Sequence, residues 1–141
     1  MKAIAVLALR ILAVGMIANG LWMLLGAFNW FQTVPAALPD TGPPNGHLIR
    51  DVGLAYVIAG ATLLWSSLRL AERRAAFLIA TAFVGGHAAG HVIEMVLGLL
   101  PPSHWLIDLP LVLAPGVFLL AFVLPQAWTW LIGAEPRADV L

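Results

Sequence analysis

AAFLIATAFVGGHAAGHVIEMVLGLL, residues 75–100, is a run whose single carboxylate is Glu94 and which holds no lysine or arginine. As a helix it rises roughly 39 Å at 1.5 Å per residue, enough to cross a hydrocarbon core about 30 Å thick. The run therefore predicts a membrane-spanning helix, one that carries His87, His91 and Glu94 into an apolar phase. Three further runs of the same kind lie near 4–28, 48–70 and 105–132. With 62% hydrophobic and 10% charged residues among 141, and a mean hydropathy of +0.96, the chain cannot be an ordinary soluble domain. It reads as a single membrane domain, 1–141, with the all-α fold of an integral four-helix bundle.

The remaining composition narrows the function classes. A net charge of +0 provides no basic field, so nucleic acid is excluded as a partner. The absence of cysteine excludes disulfides, thiolate metal sites and iron–sulfur clusters. The first run begins at Lys2, is too long for the apolar part of a signal peptide, and is followed by no small-residue cleavage site, so it is expected to be an uncleaved helix. The link Ala71-Glu72-Arg73-Arg74 is short and implies a tight hairpin between the second and third helices. The loop 29–47 is rich in Pro and Gly, and the tail after Gly133 is polar and expected to fray.

Lys2, Arg69, Arg73, Arg74 and Arg137 gather at the termini and the second loop, whereas the first and third loops hold none apart from Arg50 at the start of the second helix. The excess of positive charge on cytoplasmic loops then places both termini in the cytoplasm of a bacterial inner membrane. Trp22, Trp30, Trp105, Trp128 and Trp130 lie near helix ends, where an interfacial aromatic belt belongs. The bundle reads as two helical hairpins in a weak parallel repeat.

That repeat has a local signature. Pro43-Pro44-Asn45-Gly46-His47-Leu48-Ile49-Arg50-Asp51 and Pro101-Pro102-Ser103-His104-Trp105-Leu106-Ile107-Asp108 each join a double proline, a helix-capping residue and His-x-x-x-Asp. His47 and His104 are expected at the outer surface, with Asp51 and Asp108 roughly 6 Å deeper. Glu94, His91 and His87 are expected roughly 9, 14 and 20 Å below the outer end of the third helix, on one face because they are spaced i, i+4 and i+7. Asn19 falls at the depth of His91. Gly86 and Gly90, with Ala88 and Ala89, suggest a surface where a neighbouring helix approaches closely.

Charges in lipid are costly and should turn inward and pair. Imidazole and carboxylate together suit Zn, Fe, Mn or Cu, and four helices converging on them frame carboxylate-bridged metal centres. The sequence therefore predicts a divalent metal site in the outer leaflet built from His91, Glu94, His87, Asp51, Asp108, His47 and His104, serving redox or hydrolytic chemistry or metal handling. Asparagine, serine and aspartate at helix starts also act as ordinary caps, so the alternative is a non-catalytic accessory or assembly subunit with a structural polar network. Haem fits less well, because His87 and His91 share a face and cannot ligate opposite sides of one ring. Proton or quinone handling is consistent with intramembrane His and carboxylates. No phosphate loop or nucleophile elbow is present, and no enzyme class is assigned.

Ala8-Leu9-Arg10, Asn19-Gly20-Leu21-Trp22-Met23-Leu24 and the stretch from His47 to Tyr56 resemble small four-helix bacterial membrane proteins of unknown function, broadly DoxX-like in layout. The resemblance covers most of the chain and implies the four-helix fold but no activity. The partners expected are the lipid bilayer and either a second copy or a membrane partner subunit.

Overall fold

The structure, a computed structural model, describes residues 1–34 and 42–133. Arg137, part of the orientation argument, and the polar tail beyond Gly133 lie outside the described residues. In chain order the elements are α1 (Lys2–Leu25), α2 (Ala27–Thr33), α3 (Gly46–Ser67), α4 (Arg74–Val96), α5 (His104–Ile107), a π-helical turn (Leu109–Leu113), α6 (Ala114–Ala121) and α7 (Pro125–Ile132). Helices α1, α3 and α4 are long and apolar enough to cross a membrane. The bent pair Leu109–Ala121 and Pro125–Ile132 makes a fourth span if taken as one. This is the architecture of a multi-pass helical membrane protein. Ile4, Leu7, Ile11, Ile58, Ile79 and Ile93 point outward, as side chains facing lipid do.

The fourth run is not the continuous helix over 105–132 that hydropathy predicts. Pro110 and Pro115 have no N–H to give to the preceding turn, and the ladder widens. Val112 and Leu113 both donate to the Asp108 carbonyl at 2.9 Å, and Ala114 donates to Leu109. A second break precedes Pro125: Leu124 is extended, as a residue before proline tends to be, and α7 departs at 87° from the axis before it. The turned helix lies across one bundle end. Its Trp128 packs on Phe77 with centroids 5.0 Å apart, and the Arg74 guanidinium stands 5.5 Å over the same indole.

The helices pack in the row α1–α3–α4–α6, with α7 returning to α1. The main core lies towards the α7 end and includes Leu9, Ala13, Leu63, Phe77, Ala80, Leu119 and Trp128. Helices α1 and α3 approach closely through glycines. A Cβ on Gly20 would stand 2.5 Å from the Gly53 carbonyl, and one on Gly60 would stand 2.8 Å from the Ala13 carbonyl. The close approach expected at Gly86 and Gly90 occurs instead at Ala88, which meets Gly116 of α6. A Cβ on Gly86 or Gly90 would meet nothing within 4 Å. The reason is phase: α4 buries Phe77, Ala80, Val84 and Ala88, and Gly86 and Gly90 lie two residues, about 200°, away from that stripe.

Candidate functional site: a buried carboxylate between two imidazoles

Asp108 has no solvent exposure and stands at the end of α5, where the π turn begins. Its Oδ2 is 2.8 Å from His91 Nδ1 on α4. From its own chain segment His104 Nδ1 approaches the same carboxylate, 3.2 Å from Oδ2 and 3.3 Å from Oδ1. His104 is buried as completely as Asp108, whereas His91 keeps 16% of its side chain accessible. An unpaired carboxylate at this depth would be prohibitively costly. The two imidazole Nδ1 atoms supply its partners.

His87 extends the cluster as a ring rather than as a hydrogen-bonding group. Its imidazole meets His91 edge-on at 4.6 Å, stacks parallel to Phe83 at 6.4 Å and meets Tyr56 edge-on at 5.7 Å. Beside His91, a pocket of about 270 Å³ at the bundle end is lined by His91, Glu94, Pro43, Asn45 and Trp30 among others. His91 is thus the member of the cluster that opens to a vestibule.

The other expected site residues do not join it. Glu94 shares the vestibule but is exposed. His47 and Asp51 pair with each other at 3.4 Å on the surface, with 87% and 61% of their side chains accessible. Arg50 turns back to the Gly46 carbonyl at 3.0 Å, and Asn19 accepts the Trp30 indole N–H at 2.8 Å. Among the described residues no three His, Asp or Glu side chains stand together as a metal-holding group.

The two near-repeats differ in which face the helix buries. At the start of α3 the buried residues are Ile49 and Gly53, two positions out of phase with His47 and Asp51. In the second segment the buried residues are His104, Asp108 and Val112 themselves. Capping differs too. Asn45 accepts from the His47 and Leu48 N–H groups at 3.1 Å each, while Ser103 is in the α region and makes no side-chain cap. One sequence pattern therefore produces a surface ion pair in one place and a buried cluster in the other.

Sequence reasoning gave Tyr56 no role and Trp30 only a place in the aromatic belt, yet both line a lateral cleft together with Asn19 and Pro110. The available signal was the pair Pro110 and Pro115 inside an apolar run, which interrupts a helix wherever it falls. No protein-family model, no curated protein and no solved structure matches this chain at a significant level.

Proposed function

We propose that the protein is a proton-exchanging membrane protein whose centre is His91, Asp108 and His104. The observation that carries this reading is a fully buried carboxylate held between two imidazole Nδ1 atoms, with only His91 partly open to the vestibule. One imidazolium with the carboxylate makes a neutral group that a bilayer tolerates. Taking up or giving up a proton changes that charge where it is strongly felt. In the orientation given by Lys2, Arg69, Arg73 and Arg74, the vestibule opens to the periplasm of a bacterial inner membrane, with both termini in the cytoplasm. The two hairpins then form a parallel repeat that has diverged in which face it buries.

Imidazole ¹⁵N spectra of the protein in bilayers test this reading. The His91 and His104 signals should change together with pH, and that coupling should vanish in Asp108→Asn. Two signals that stay fixed across the pH range would leave only the structural alternative, a polar lock between α4 and the fourth span.

Metal binding is the second reading, favoured by one observation. Asp108 holds His91 through Nδ1, as carboxylates orient metal-ligating histidines, and Glu94 lines the same pocket as His91. An ion there would rest on His91 Nε2 and Glu94, completed by water. Metal analysis of protein purified without chelator or histidine tag, then incubated with Zn, Mn, Fe and Cu, tests it. Stoichiometric metal lost in His91→Ala supports the reading, and a wild type that stays empty ends it.

A further inference from the structure

Among the described residues the bundle is open on one side. Helix α1 packs on α3 and rejoins the fourth segment mainly through α7 at one end. Between them is a cleft of about 280 Å³, whose walls include Gly15, Met16, Asn19, Trp30, Tyr56 and Pro110, and whose lining holds no charged residue. Gly15 and Tyr56 are near the middles of α1 and α3, so in a bilayer the mouth faces hydrocarbon rather than water.

Two polar groups of this cleft are left short of the usual partners among the described residues. Ala114 donates to Leu109 instead of to Pro110, and residue 115 is a proline. Neither neighbouring turn can therefore give the Pro110 carbonyl an N–H. The Tyr56 ring is wedged edge-on against Phe83 and His87, and its hydroxyl has no hydrogen-bond partner among the described residues. Backbone polar groups are not left unsatisfied at membrane depth without cost, and π turns recur at functional sites.

We propose that this cleft binds a membrane-dissolved apolar molecule bearing one neutral hydroxyl, an alcohol or a phenol. A hydroxyl can donate to the Pro110 carbonyl and accept from Tyr56. A charged head would enter a lining with no counter-charge, and a pure hydrocarbon would leave both groups unsatisfied. The cleft shares no lining residue with the His91–Asp108–His104 cluster, so the proposal stands or falls apart from the proton-exchange reading.

The test uses the full chain in lipid nanodiscs, titrated with 4-dodecylphenol and in parallel with dodecylbenzene, and binding read by native mass spectrometry. The phenol should form a saturable single adduct, with dodecylbenzene about thirtyfold weaker, the ratio for two lost hydrogen bonds of ordinary strength. Tyr56→Phe should weaken the phenol several-fold. Gly15→Leu should weaken it at least about tenfold by filling the cleft. A Cβ at Gly15 meets nothing within 4 Å, so the new side chain starts into open space. No saturable adduct, equal binding of the two probes, or unchanged binding by Gly15→Leu would overturn the proposal.

Discussion

His91 Nδ1 and Asp108 Oδ2 stand 2.8 Å apart and join the middle of the chain to its fourth apolar run. Because Asp108 also faces His104, removing its carboxylate takes a partner from two imidazoles at once. Asp108→Ala should destabilise the protein by about 1–3 kcal/mol for each unsatisfied group. Asp108→Asn keeps the shape and one acceptor oxygen, and should fall between. Thermal denaturation in one detergent should rank wild type above Asn and Asn above Ala. Equal stability of all three would mean that the cluster contributes nothing to packing.

The two His-x-x-x-Asp segments should respond differently to the same change. His47→Ala removes one side of an exposed pair and should cost about 0.5 kcal/mol or less. His104→Ala leaves space and a missing partner in a fully buried site, and should cost at least about 1–3 kcal/mol. Chemical denaturation of the two variants side by side makes the comparison. Similar losses would show that the repeat is functionally symmetric after all.

The difference between the two segments also marks how far the sequence could be read. Hydropathy located α1, α3 and α4 nearly to their ends, because a bilayer sets the length of an apolar helix and little else competes. It also singled out His91, Asp108 and His104 as ionisable groups that lipid would force together. It could not separate them from His47, Asp51 and Glu94. That distinction depends on which stripe of each helix meets a neighbour, and a helix surrounded by lipid is apolar on every face. The glycines show the same ambiguity: Gly20, Gly53 and Gly60 are at the contact, and Gly86 and Gly90 are not. The break at Leu124 was legible in Pro125, but the hydropathy of the whole run concealed it.

Those glycines give a direct test of the packing. Gly53→Ala places a methyl 2.7 Å from the Met23 Cβ and 2.9 Å from the Gly20 carbonyl, and α1 and α3 must separate to accept it. Overpacking of this kind costs about 1–3 kcal/mol. Gly90→Ala meets open space and should be neutral, or stabilising by up to about 1 kcal/mol from helix propensity. Melting temperatures in the same detergent should move in opposite directions, or the second not at all. A larger loss in Gly90→Ala would place a contact on the opposite face of α4.

Orientation has its own readout. Reporter fusions after Arg74 should report cytoplasm, and fusions near Pro43 and Pro101 should report periplasm, because the arginines cluster at the α3–α4 link. A cytoplasmic Pro43 fusion would move the vestibule beside His91 to the other side of the membrane.

Proton counting tests the central claim most directly. Protein in nanodiscs is taken in weakly buffered solution from about pH 8 to about pH 5, the range in which imidazoles exchange protons, and the acid consumed is compared with that taken up by Asp108→Asn and by His91→Gln. His47 is present in all three proteins and cancels. Wild type should take up about one proton more per chain than either variant, because the carboxylate and the accessible imidazole must both be present for the centre to load. Identical uptake by all three proteins would contradict proton exchange at this centre and leave Asp108 as a structural tie between α4 and the fourth span.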